Sequence, residues 1–138
     1  MFTLIRHATY QISNGQLTED GANAMRRLAV ALETYANTWQ EIRYSPTQRT
    51  KFSAEILHTH LHLPLHEDAR INTDGNAAVY APPHHPQGYI LVTHLPVITR
   101  LMRAWSHEFH LDEPPLTDLA CGYIIIHEQQ KIIPISSL

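Results

Sequence analysis

Tyr89-Ile90-Leu91-Val92-Thr93 is an unbroken apolar run of strand length, framed by Gly88 and His94. A strand with one wet face alternates apolar and polar residues; this run does not, so both of its faces must be covered. Strands buried on both faces belong to parallel sheets with helices above and below. The run ends at His94, and Leu95-Pro96 follows. Pro96 suits a first helical position, and Val97, Ile98, Leu101, Met102 and Trp105 supply one buried stripe.

The same strand-then-helix unit occurs twice earlier in the chain. Phe2-Thr3-Leu4-Ile5 is an apolar run that stops at Arg6-His7-Ala8-Thr9. A polar loop, Gln11 to Gln16, contains the turn pair Asn14-Gly15. Thr18 then caps a helix with Glu19 and Asp20 in its first turn, where the helix dipole favours acids. Ala22, Met25, Leu28, Ala29, Leu32 and Ala36 follow helical spacing, and Arg26 and Arg27 fall outside that stripe, in solvent. Glu41-Ile42-Arg43-Tyr44 forms a second strand, ending at Ser45-Pro46-Thr47-Gln48-Arg49. Serine before proline predicts a helix with Ser45 as its cap, Pro46 in its first position and Arg49 one turn in.

The segment from Leu61 to Gly88 is broken by Pro64, Gly75, Pro82, Pro83 and Pro86 into loops, with one short helix near Asn76–Tyr80. After Pro114-Pro115, residues Ala120–His127 and Lys131–Ile135 read as two closing strands joined by a turn at Glu128–Gln130. The pattern predicts one α/β domain over residues 1–138: a three-layer sandwich with a mostly parallel central sheet and helices on both faces.

The chain has 138 residues, 43% of them hydrophobic, which is enough for a core. A formal net charge of -3 and a pI near 6.4 argue against nucleic-acid binding. The single Cys121 fits a reducing compartment, no apolar run is long enough to span a bilayer, and Arg6 comes too early for a signal peptide. A cytoplasmic chain is expected. The eleven histidines include His58, His60, His62 and His66, with His84 and His85 further on. One cysteine and no paired ligand motif argue against a metal site there, and alternation would place His58, His60 and His62 on one side of an extended segment.

Parallel strands joined by right-handed crossovers line up their carboxyl ends along one edge, where open α/β sheets bind ligands. Arg6, His7, Arg49 and His94 all follow the ends of predicted strands. Two guanidinium groups to grip an oxyanion and two imidazoles, one of them a possible nucleophile, make that edge a phosphate pocket.

These segments also carry a family resemblance. Leu4-Ile5-Arg6-His7-Ala8 resembles the Arg-His-Gly signature of the histidine phosphatase superfamily, also called phosphoglycerate mutase-like. Leu17-Thr18-Glu19-Asp20-Gly21 is similar to its Leu-Thr-x-x-Gly segment. Tyr44-Ser45-Pro46-Thr47-Gln48-Arg49, running into Ala54-Glu55-Ile56-Leu57, is similar to its Ser-Pro-x-x-Arg helix, and Val92-Thr93-His94 to its second-histidine strand. The ordered set covers residues 2 to about 126 and stands nearest the short SixA-type phosphohistidine phosphatases.

The resemblance implies that His7 attacks phosphorus and becomes a phosphohistidine that water then hydrolyses. It implies that Arg6, Arg49 and His94 bind the equatorial oxygens, and that no metal or cofactor is required. Arg6 and Arg49 should keep His7 neutral by lowering its pKa. Ala8 stands where the family has glycine, a change expected to be tolerated, and Gln16 replaces an arginine of the SixA branch. The middle segment offers no assignable general acid and no cap over the pocket, which suits a phosphoramidate such as phosphohistidine on a protein domain. The alternatives are a small-molecule phosphomonoesterase with Glu67, Asp68 or Asp74 as acid, and a phosphate-binding module without activity.

Overall fold

Residues 89–93 do form the middle of a sheet. The computed structural model describes residues 1–138, the side chain of Ala36 excepted. Six strands make one sheet: β1 (Phe2–Arg6), β2 (Glu41–Tyr44), β3 (Leu65–Glu67), β4 (Tyr89–Thr93), β5 (Gly122–Ile126) and β6 (Lys131–Ile135). Their order is β3-β2-β4-β1-β5-β6. The first four are mutually parallel, whereas β5 and β6 close the far side antiparallel. The sheet is therefore mixed, with its parallel part carrying the three βα units.

Helices α1 (Glu19–Glu33) and α2 (Gln48–Leu61) cover one face, where Met25, Leu28, Leu32, Ala54 and Leu57 meet Ile5, Ile42, Ile90 and Val92. Helix α3 (Leu95–Glu108) covers the other, where Val97, Leu101 and Trp105 meet Phe2, Leu4 and Leu91. Alternate residues of β1 and β4 thus enter opposite cores, and both strands are sealed between layers. Burying a side chain such as Leu4 or Ile90 on either face stabilises the fold by about 1.5–3 kcal/mol. One residue permits the tightest strand approach: a Cβ on Gly122 would fall 1.8 Å from the Leu4 carbonyl oxygen.

Several local expectations are corrected. Helix α1 ends at Glu33; Ala36 falls beyond it in a 3-10 turn, and its side chain lies outside the described residues. Helix α2 begins at Gln48 rather than Pro46, capped by Thr47, whose hydroxyl accepts from the Thr50 N–H. Ser45 is not the cap, because its N–H continues the sheet to the Val92 carbonyl and its hydroxyl is drawn across to β4. Pro96 sits one place into α3, which opens at Leu95 with His94 as its cap residue.

The segment Leu61–Gly88 contains a strand that sequence reading missed, β3, beside the expected short helical turn at Ala77–Tyr80. His58 and His60 belong to α2, and His62 ends it in the left-handed region at φ 58°, so these rings do not share one side of an extended segment. Among the described residues no group of three His, Cys, Asp or Glu side chains is placed to hold a metal ion. No helix among them is long and apolar enough to cross a membrane.

Candidate active site

The site begins with a register. Arg6 and Thr93 are paired across β1 and β4, and the His7 N–H donates to the Thr93 carbonyl at 3.2 Å. His7 and His94 therefore leave neighbouring strands side by side, with ring centroids 5.5 Å apart and planes at 65°. Both are buried, at 6% and 3% exposure. The main chain around His7 is held from three further directions. Ala120 donates its N–H to the carbonyls of both Arg6 and His7, and the Arg6 N–H donates to the Cys121 carbonyl. The Ala8 N–H donates to Ser53 Oγ, whose hydroxyl in turn donates to the Arg49 carbonyl. Ala8 is fully buried in the core beneath α1 and α2.

His7 is fixed in one tautomer. Its Nδ1 lies 3.0 Å from the Ala8 carbonyl oxygen, which can only accept, so the proton of the neutral ring resides on Nδ1. The Nε2 lone pair is left for an electrophile. Burial lowers the His7 pKa, the Ala8 carbonyl opposes that, and the charges of Arg49 and Arg6 lower it further. The neutral state expected from the arginines is thus produced first by burial, with the two cations adding to it.

His94 is pulled down more strongly, to about 4, by burial and then by Arg49 and His7. Its Nε2 lies 2.8 Å from Ser45 Oγ, and the Ser45 hydroxyl reaches Asn72 Oδ1 at 3.2 Å. Asn72 Oδ1 also accepts the Thr73 N–H, which fixes the amide's orientation. With the Ser45 proton directed at Asn72, the His94 Nε2–H donates to Ser45 and the ring is locked against rotation. Ser45 and Asn72 were absent from the sequence-level site. Serine at a strand's end on the sheet edge that carries His7 was the available signal, and it reads locally as a helix cap.

The arginines keep free donors. Arg6 is anchored by a bond from Nη1 to the Thr117 carbonyl at 2.9 Å. The Nε atoms of both Arg6 and Arg49 are buried without a protein hydrogen-bond partner. Buried N–H groups of a cation left unmatched are costly, and an oxyanion is the partner that would match them. Tyr10 was also missed: its ring packs edge-on to His7 at 5.4 Å, and the Arg49 guanidinium carbon stands 4.9 Å from its centroid.

The candidate acids fare differently. Asp68 is 7% exposed and accepts a fork of bonds from Arg70 Nε and Nη2, at 2.8 and 2.9 Å, and another from the Tyr80 hydroxyl. Burial alone would raise its carboxyl, but these donors outweigh it and bring it down to about 2. Arg43 completes the cluster through Tyr80 Oη and Glu41. A carboxylate so strongly held ionised is no proton donor near neutrality. Glu67 and Asp74 are exposed. A cavity of about 670 Å³ lies between α1 and α2 and is lined by none of Arg6, His7, Arg49 or His94.

No protein-family model matches the chain, and no curated protein does. Solved structures do. The protein histidine phosphatase SixA, solved with tungstate, aligns with a TM-score of 0.71 at 19% identity over 99% of this chain and 96% of that one. A phosphoglycerate mutase from Plasmodium falciparum gives 0.61 at 16% identity, covering 99% and 92%. A mycobacterial glucosyl-3-phosphoglycerate phosphatase gives 0.60 at 11%, covering 98% and 95%. Proteins named for quite different substrates share this architecture, so at such identities the likeness speaks for architecture alone. The chain has the phosphoglycerate mutase-like fold.

Proposed function

We propose that this protein is a phosphohydrolase that passes a phosphoryl group through His7, and that its substrate is phosphohistidine on a protein. The observation that carries the reading is the state of His7. It is a buried neutral imidazole with its proton tied to Ala8 and its Nε2 free, beside two guanidinium groups with unmatched donors. Nε2 attacks phosphorus as the bond to the leaving group breaks, giving phosphorylated His7 and the free leaving group. Arg6 and Arg49 hold the equatorial oxygens as charge spreads over them; His94, its Nε2–H given to Ser45, donates to them from Nδ1 once the bound anion's charge has drawn a second proton onto the ring. Water then attacks phosphorus, returning neutral His7 and inorganic phosphate.

The leaving group is chosen by what the site lacks. Asp68 is held ionised by Arg70 and Tyr80, and Glu67 and Asp74 are exposed. An alkoxide would need a proton from the enzyme, whereas an imidazole protonated on its far ring nitrogen departs as a neutral molecule. Only the 3-10 turns Ala69–Ile71 and Ala77–Tyr80 stand between β3 and β4, too little chain for a cap over the sheet edge, which favours a substrate displayed on a protein surface. That tungstate, a tetrahedral oxyanion, is held by a structural neighbour agrees with the phosphate pocket.

The test is trapping of labelled phosphate on the protein from phosphoramidate, protein-bound phosphohistidine and an aryl phosphate, with His7→Ala as control. Acid-labile label on wild type alone, with faster turnover of the P–N donors, is the expected result. No label from any donor would sink the enzymatic reading. Faster turnover of the ester would replace the phosphohistidine substrate with a small-molecule monoester.

A further inference from the structure

We infer that Tyr10 is a positioning residue for phosphate capture: its ring, packed edge-on to His7, holds the Arg49 guanidinium at the site without taking any of that guanidinium's hydrogen-bond donors. The inference rests on the phosphate-binding reading of the site and adds a residue to it.

An arginine in a protein is commonly steadied by a carboxylate. Among the described residues no acidic side chain pairs with Arg49. Its guanidinium instead lies over the Tyr10 ring, with Cζ 4.9 Å from the centroid, inside the range of a cation–π contact. The chemical difference matters here. A carboxylate would cancel the positive charge and occupy a pair of N–H groups, whereas a ring face attracts the cation and accepts no full hydrogen bond. The Arg49 Nε, buried and without a partner, retains its donor for an oxyanion. The same ring meets His7 edge-on at 79°, so one side chain sets the spacing of clamp and nucleophile.

Tyr10 is itself pinned. It bridges to Leu17, and the loop between them closes through Gln11 N–H to the Gln16 carbonyl at 2.7 Å and Gly15 N–H to the Gln11 carbonyl at 2.8 Å. Thr18 N–H to the Thr9 carbonyl, at 3.0 Å, seals its base. Gly15, at φ +71°, lets the loop tip rest on Gln48: a Cβ there would fall 2.5 Å from Gln48 Oε1. Gln48 precedes Arg49 in the first turn of α2. The loop is therefore docked on the same helical turn that its tyrosine steadies.

Calorimetric titration with inorganic phosphate, and kcat and KM on phosphoramidate, test this in Tyr10→Phe and Tyr10→Leu. Tyr10→Phe should match wild type in both. Tyr10→Leu should bind phosphate roughly three- to thirty-fold more weakly, the range of a cation–π contact. It should also raise KM more than it lowers kcat. In an Arg49→Ala background the Tyr10→Leu effect on phosphate should vanish. Loss in Tyr10→Phe equal to that in Tyr10→Leu would overturn the proposal by assigning the work to the hydroxyl. Undiminished phosphate binding in Tyr10→Leu, or the same loss with Arg49 absent, would overturn it too. Wild-type protein that fails to bind phosphate would overturn both this and the reading it rests on; normal binding with no labelling of His7 would overturn the phosphatase reading alone.

Discussion

His94 makes the fold sensitive to acid in a way that can be calculated. In the unfolded chain a histidine titrates near 6.5, whereas burial, Arg49 and His7 hold folded His94 down at about 4. Between those values the unfolded chain takes up a proton that the folded chain refuses. Acid therefore favours unfolding: the stability present above pH 6.5 is lost progressively as pH falls toward 4. For that pair of pKa values the loss is about 2 kcal/mol at pH 5 and about 3 kcal/mol at its limit. His7 is shifted in the same direction and adds to the effect. The assay is urea unfolding at pH 7.5 and pH 5.0, comparing wild type with His94→Gln. The glutamine amide can still donate to Ser45 but cannot titrate. Wild type should lose about 2 kcal/mol more than the variant on acidification, at unchanged m-value. Equal losses in the two proteins would refute the argument that burial beside Arg49 keeps His94 uncharged.

Three further outcomes follow from the geometry. Ser45→Ala strips the partner from His94 Nε2 and should cost about 1–3 kcal/mol of stability, with kcat/KM on phosphoramidate falling roughly 10- to 100-fold as the ring loses its orientation; an unchanged kcat/KM would mean that packing alone orients His94. Asp68→Asn should lower stability by about 2–3 kcal/mol by weakening the bonds to Arg70 and Tyr80, while leaving the pH–rate profile on an aryl phosphate unaltered. Loss of the limb that reports a required protonated group would identify Asp68 as an acid after all. Gly122→Ala places a methyl carbon 1.8 Å from the Leu4 carbonyl and should cost ~3 kcal/mol or more in the urea midpoint, since backbone on both sides must move. A wild-type midpoint would contradict the pairing of β1 with β5.

What could be read directly from the sequence was whatever depends on local pattern. Unbroken apolar runs located β1 and β4, stripes located α1 and α3, and chain order placed Arg6, His7, Arg49 and His94 at one sheet edge. What could not be read depends on partners distant in sequence. β3 has only three residues at an edge, two of them exposed, and exists because Ile42 and Tyr44 offer it backbone partners. Ser45 looked like a cap because Ser-Pro commonly is one; His94, 49 residues away, claims its hydroxyl, and Thr47 takes over the capping. Tyr10 carried no periodic signal at all, and its role arises only when the loop folds back onto Gln48. The histidine alternation misled because a period of two within a longer helical pattern is a coincidence of composition.

The paired register of Arg6 with Thr93 has one more consequence. The separation of the two site imidazoles, 5.5 Å between centroids, is close to the spacing of about 4.8 Å between hydrogen-bonded strands. That interval is a property of the peptide group and is the same for any sequence able to form the two strands. Side chains in the surrounding layers can therefore drift and insertions can accumulate in the loops while His7 and His94 stay in step. Geometry written into the main chain comes with the fold itself, so the pairing of these two imidazoles asks nothing of the side chains packed around them.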